Sequence, residues 1–394
     1  MGDSVASVTS SANVAGPART IEVDFALVGH QESWRTAADV IARLRGPEHA
    51  PLPDDEIPDI LPWIPPRPVC HVDVGSPIGA KARGLYIDSF IPPDRLEAVY
   101  THDNLARVRA AAACAIKAGA KIVSLGGFSS ILIEGNLDLL KMDLLKTEQL
   151  PEKHATVFTT GNTLTVAFIV QAIRKMCALQ GRNIRKSTLL IVGATGDVGS
   201  GCARCLAPVV KRVLLSARNL ERLRKLAAEL EASGVQVEIA KDLQRFSAEA
   251  DLVICAASLP SPSLLLGRVA PHALICDAGY PKNLSPSAEM PGATVFFGGL
   301  GQITGGLQFA PDFRGVLNRH PFPDVVHGCL LEGMALALER RFEPFSRGRG
   351  SITPDRVEEI ETVAARHGIH LAPLYNADGP VEDAPHCRTE CSRA

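Results

Sequence analysis

Short apolar runs separated by helix-length stretches mark the middle of the chain. Thr188–Val192, Arg212–Leu215, Asp251–Ala257 and Ala273–Asp277 are apolar almost throughout. Continuous runs of that length read as strands of a parallel sheet covered on both faces by helices. Further strands are expected at 21–30, 69–74, 84–90 and 121–125, the last opening into Gly126-Gly127-Phe128-Ser129-Ser130. Helical patterns occupy about 33–45, 94–118, 164–178, 323–342 and 354–367. Gly119 suits the turn that stops the second of these, and Thr and Asn within 159–163 suit an N-cap for the third. Residues 46–68, rich in proline and acid, read as a long loop.

The pattern predicts an α/β chain in five parts. Residues 1–20 form a disordered leader and 21–159 an N-terminal, substrate-side domain. Residues 160–310 form a Rossmann-type parallel-sheet domain, its dinucleotide unit at roughly 186–300. A C-terminal helical segment (311–372) completes the substrate part, and 373–394 form a flexible tail.

The turn after the first central strand carries the most chemistry. Gly193, Gly196 and Gly199 stand at G-x-x-G-x-x-G spacing, with Thr195, Asp197 and Val198 between them. Glycines there let the chain turn, let backbone approach a pyrophosphate, and let helix and strand pack closely. The helix N-terminus behind them favours phosphate. At the end of the next strand an NAD site usually carries an acid for the ribose hydroxyl. This chain has Arg218 and Asn219, with Arg222 close behind. A guanidinium suits a 2′-phosphate, so NADPH is the expected cofactor.

Composition changes the picture only by exclusion. With 394 residues, 46% hydrophobic content and a formal net charge of −2, the chain reads as an ordinary globule with no bias toward nucleic acid or membrane surfaces. No apolar run is long enough to span a bilayer. Residues 1–20 lack the apolar core of a signal peptide. Ten scattered cysteines then point to a reduced, cytoplasmic setting. Cys202 and Cys205 form a C-x-x-C with no second ligand pair, and helix packing explains them better than zinc or redox work.

Cys329 is the candidate nucleophile. Pro323-Asp324 reads as a helix start, which places Cys329 within the first two turns, flanked by His327 and sharing a face with Glu332. A helix N-terminus and a nearby imidazolium both favour thiolate. A core-packing cysteine is the bland alternative. Tyr280 and Lys282 follow the strand ending at Asp277, where ligands bind in such sheets, and either is placed to donate a proton; a structural turn fits them equally well. Ser129 and Ser130 offer donors to an oxyanion.

Taken in order, LGGFSSI (125–131), FTTGNT (158–163), GATGDVGS (193–200), ARN (217–219), YPKNL (280–284) and Cys329 with Glu332 resemble the cyanobacterial long-chain acyl-[acyl-carrier-protein] reductases. The likeness runs from about residue 25 to 369. It implies NADPH-dependent reduction of fatty acyl-carrier-protein, or acyl-CoA, to fatty aldehyde through a thioester on Cys329. A magnesium dependence goes with the family, although the sequence shows no dedicated metal-ligand cluster. Acyl carrier proteins are acidic, and Arg340, Arg341, Arg347 and Arg349 are the candidate docking residues. Segment 300–322 departs from the family's more acidic pattern just ahead of the nucleophile. Two other readings remain: an NADP-dependent alcohol or ketone reductase without covalent catalysis, and a non-catalytic NADPH-binding acyl sensor.

Overall fold

A computed structural model describes residues 22–49, 52–96, 100–133, 156–259, 261–317 and 319–381, with isolated positions from 137 to 146. The leader at 1–20 and the cysteines Cys387 and Cys391 lie outside the described residues. Two six-stranded sheets carry most of the described chain. The first uses β1 (Phe25–Gly29), β2 (Arg67–Gly75), β3 (Lys81–Asp88), β4 (Ile122–Leu125) and β5 (Val157–Thr159). Strand β1 lies between β3 and β4, parallel to both, and β5 continues parallel beyond β4. Strand β2 folds back antiparallel onto β3. Helix α1 (Trp34–Arg45) starts where the Ser33 hydroxyl accepts the N–H of Thr36. It buries Ala37, Val40 and Ile41, one face of a 3.6-residue period. Helix α2 (Thr101–Lys117) packs on β1 and β3; its expected first turn, from 94, is a separate 3₁₀ turn at Pro93–Arg95.

The second sheet uses β6 (Thr188–Val192), β7 (Arg212–Ser216), β8 (Val237–Ile239), β9 (Leu252–Cys255), β10 (Leu274–Asp277) and β11 (Thr294–Phe297). Every pairing is parallel, in the order β8-β7-β6-β9-β10-β11. That is the doubly wound order 3-2-1-4-5-6, whose ligand crevice opens where β6 and β9 diverge. All residues of β6, β9 and β10 are buried, which is why these strands read as unbroken apolar runs.

Helix α3 (Phe128–Ile133) follows β4, and α4 (Asn162–Leu179) leads from the first sheet to the second. Helices α5 (Asp197–Leu206) and α6 (Leu220–Ala232) follow β6 and β7. After β11 the chain turns back through β12 (Leu300–Ile303) and β13 (Leu307–Ala310). Strand β13 pairs antiparallel with the outer edge of β2, so the divergent segment completes the first sheet. Strand β14 (Val325–His327) pairs with β12, and α7 (Gly328–Leu338) follows at once. Helix α8 (Pro354–Arg366) leads into β15 (Ile369–Leu371), on the other side of β12. Helix α7 is apolar almost all round and is wedged between α4 and strands β1 and β4. One apolar core therefore continues from the first sheet through α4, α7 and α8 into the second.

Three expectations need correction. The helix read from 323 starts instead at Gly328, because Asp324 adopts a φ of +54° and Val325-Val326 join a sheet. Helix α4 has no side-chain N-cap; Gly161 holds that position at a φ of +70°. The tail expected from 373 is folded as far as 381, where Tyr375–Asn376 pair with Gly379–Pro380, and Tyr375 and Val381 are buried.

Candidate active site

One cleft of about 490 Å³ joins the two sheets at the carboxyl ends of their central strands. From the second sheet it receives the glycine turn, Asp197 and Arg218. From the first it receives Gly29, His30, Gly126 and Gly127, and from α7 it receives Cys329 and Leu330.

The glycine turn is built for close approach. Gly193 has a φ of +84°, and a side chain there would run into the carbonyl of Ala256 at the end of β9. A side chain at Gly199 would strike the Gly193 carbonyl, which forces α5 against β6. Gly196 is different. The nearest protein atom to a side chain there, Gly193 O, is 3.3 Å away, while the residue faces the cleft. The bare backbone is open to a ligand, as a dinucleotide pyrophosphate requires. Thr195 and Val198 line the same stretch.

Asp197, the first residue of α5, is buried. Its Oδ2 accepts from Asn162 Nδ2 at 2.9 Å and Thr160 Oγ1 at 3.5 Å. Its Oδ1 has no protein partner. Burial raises its pKa, opposed by the Asn162 hydrogen bond and the charge of Arg349. Arg218 and Arg222 line the far end of the cleft beyond β7, and the Asn219 side chain caps α6 by accepting the N–H of Arg222 at 3.0 Å. The residues present therefore fit a dinucleotide, with a cationic end and an open glycine turn.

Cys329 is the second residue of α7, nearer the helix N-terminus than the sequence pattern predicts. Its carbonyl accepts the Ser124 hydroxyl from β4 and lies against Gly161, where a side chain would overlap it. Its sulfur faces the backbone N–H groups of Gly127 and Leu330. Burial nevertheless pushes the thiol up to about 11, and Glu332 adds to the rise. The imidazolium expected beside it is absent as well. His327 is held well below its ordinary pKa, first by burial and then by the charges of His320, Lys282 and His30. The resting pair is thiol and neutral imidazole. Sequence could not show this, because burial is set by Tyr280 and His320, whose rings stand 4.7 and 5.5 Å from that of His327.

Glu332 does not face the cleft. It is fully buried: Oε1 accepts the Thr159 hydroxyl, and Oε2 the Ser346 hydroxyl at 2.8 Å and the N–H of Leu164 at 3.1 Å. Tyr280 lines the cleft, its hydroxyl donating to His30 O at 3.2 Å. Lys282 lies behind the cleft wall, its ammonium 4.7 Å from the centre of the Phe297 ring and 3.5 Å from Asp277 O. Ser130 reaches the cleft with its hydroxyl already donating to Gly127 O at 2.8 Å; Ser129 is fully buried. Cys202 and Cys205 are packed inside α5.

His30 is a wall residue that sequence reading missed. Its Nδ1 faces Gln31 O at 3.2 Å and its Nε2 accepts the N–H of Phe128 at 3.0 Å, so it ties β1 to the Gly126-Gly127 loop. Burial lowers its pKa to about 4. Its only sequence signal is its place just past the end of β1.

Of the expected docking arginines, Arg340 pairs with Asp24, and Arg341 with Glu343 and Glu359. Arg349 lines the cleft. Among the described residues, no group of three or more His, Cys, Asp or Glu side chains is placed to hold a metal ion, and no helix is long and apolar enough to cross a membrane.

A doubly wound sheet with an open glycine turn defines a dinucleotide-binding fold. Over 355 residues the chain is 32% identical to the long-chain acyl-[acyl-carrier-protein] reductase of Synechococcus elongatus, covering 87% of this chain and 97% of that one. It belongs to that reductase family. Residues 175–297 also match the family model described as shikimate / quinate 5-dehydrogenase. A second relative, the aminotransferase PigE of a Serratia strain, is 24% identical over 66% of this chain and only 29% of its own. Shikimate 5-dehydrogenase of Listeria monocytogenes, solved with shikimate and NAD, aligns over 54% of this chain and 65% of that one at 14% identity, with a TM-score of 0.28.

Proposed function

We propose that the chain is an NADPH-dependent reductase that converts a fatty acyl thioester, carried on acyl carrier protein or coenzyme A, to the aldehyde through an acyl-enzyme on Cys329. The observation that carries this reading is the single cleft shared by Cys329, at a helix N-terminus, and by the glycine turn with Arg218.

At pH 7 a thiol with a pKa of about 11 costs about 5 kcal/mol to ionise. Proton loss therefore accompanies attack on the thioester carbon. Both ring nitrogens of His30 are engaged, which leaves neutral His327 to take the proton. The sulfur–carbonyl bond forms, the carrier sulfur leaves, and that proton goes to the departing thiolate. The dinucleotide, when bound, supplies the hydride that reduces the acyl group. Tyr280 then stands at the cleft to protonate the new oxygen, and the hemithioacetal on Cys329 releases aldehyde and thiol. The order is ping-pong.

Arg218 meets the 2′-phosphate and sets the preference for NADPH. Lys282 is the less suited acid, since it lies behind the wall. The test mixes the protein with NADPH and acyl-carrier-protein thioesters of graded length and detects aldehyde by mass spectrometry. Cys329→Ala is expected to lose both aldehyde and acyl-enzyme while still binding NADPH. Aldehyde from that variant would refute covalent catalysis and favour direct reduction of a carbonyl substrate.

A further inference from the structure

We propose that Arg349, on a strap that runs from the start of α4 to the middle of α5, clamps the pyrophosphate of the bound dinucleotide. The inference rests on the reading of a nicotinamide cofactor and removes Arg349 from the carrier-docking surface.

The strap is residues 346–352, and both ends are fastened. At one end Ser346 is fully buried. Its hydroxyl donates to Glu332 Oε2 at 2.8 Å and accepts the N–H of Thr163 at 3.0 Å, while its own N–H donates to Thr159 Oγ1 at 3.0 Å. At the other end Ile352 is fully buried against Gly201 of α5, occupying the space a side chain there would need, with Cγ2 2.8 Å from that position. The Ile352 carbonyl also accepts from Arg204 Nη1 at 3.4 Å. Between these anchors the Ser351 N–H and hydroxyl donate to the Gly348 carbonyl at 3.1 and 2.6 Å, which closes a tight turn around Arg349. Arg349 lines the same cleft as Gly196 and Asp197.

Charge explains why a cation is needed at that point. The N-terminus of α5 attracts phosphate, yet its first residue is an acid. The Asp197 carboxylate is steered by Asn162 and Thr160 and has one buried oxygen without a protein partner. Alone it would oppose two phosphate charges. Arg349 stands near enough to draw the Asp197 carboxyl down, and a planar guanidinium can span neighbouring phosphate oxygens.

A pyrophosphate clamp serves NADPH and NADH alike, whereas a 2′-phosphate site serves only NADPH. The full-length protein is titrated with each dinucleotide, without acyl donor, by nucleotide fluorescence. Arg349→Ala is expected to weaken both cofactors about tenfold or more and Arg349→Lys to recover part of the loss, while Arg218→Ala weakens NADPH alone. Affinities for both cofactors unchanged in Arg349→Ala would overturn the proposal, and a rise confined to the KM for acyl carrier protein would return the residue to the docking surface. If the unaltered chain bound neither dinucleotide, the cofactor reading itself would fall, a result distinct from equal binding by parent and variant.

Discussion

Glu332, one turn beyond the candidate nucleophile on α7, accepts the N–H of Leu164 and so caps the neighbouring helix α4. Helix α4 has no side-chain cap of its own, because Gly161 at that position must lie against the Cys329 carbonyl. Replacing Glu332 with Ala leaves that N–H without its acceptor and removes one hydrogen bond each from the buried Thr159 and Ser346 hydroxyls. Hydrogen bonds to a charged group contribute about 1.5–3 kcal/mol each. A loss of about 3 kcal/mol or more is expected in denaturant unfolding, with a milder loss for Glu332→Gln. Wild-type unfolding of Glu332→Ala would show that the cap contributes nothing.

Thiol reactivity reports the resting state of Cys329. With its pKa near 11, alkylation by iodoacetamide should rise about tenfold per pH unit from 7 to 9, since only thiolate reacts. Mass spectrometry of the Cys329 peptide gives the rate at each pH. A plateau below pH 8 would mean that the thiolate is already formed in the free protein.

Arg218 is exposed at the end of β7 and lines the cleft. Arg218→Glu should weaken NADPH binding about ten- to a hundredfold, the range of one lost charge-assisted contact, and leave NADH within about threefold. Equal losses for the two cofactors would dismiss the 2′-phosphate role.

His30 makes the fold sensitive to acid. Its folded-state pKa, about 4, lies below the ordinary value of 6.5 because the ring is buried. Its contribution to stability is therefore complete above pH 6.5 and falls away as the pH drops toward 4. In melting curves from pH 7 to 4.5, His30→Gln should lose less melting temperature than the parent. Part of the slope should remain, because His320 is lowered to about 4 in the same way. Identical slopes would remove His30 from the account.

The dinucleotide sheet was legible because β6, β9 and β10 are buried on both faces, and burial of that kind is written directly into residue type. The glycine spacing worked for the same local reason. What escaped was what distant residues decide for one another. Pro323-Asp324 looks like a helix start, and only pairing with β12 shows that Val325-Val326 form a strand. Glu332 shares the heptad-like face expected of it, yet its partners lie 14 to 173 residues away. Arg349 sits in a basic run with Arg340, Arg341 and Arg347, and nothing local distinguishes the residue that turns into the cleft from those paired with Asp24, Glu343 and Glu359.

The pairing of β13 with β2 has a bearing on biogenesis. The six strands of the second sheet lie between residues 188 and 297, so they can assemble as soon as that stretch has left the ribosome. The first sheet cannot. Until residues 307–310 emerge, the outer edge of β2 has bare amides and carbonyls, the kind of edge that recruits other chains. Helix α7 follows later still, so the thiol acquires its surroundings only once residues 328–338 have been made. A message truncated between residues 297 and 307 yields a cofactor fold joined to an open-edged sheet.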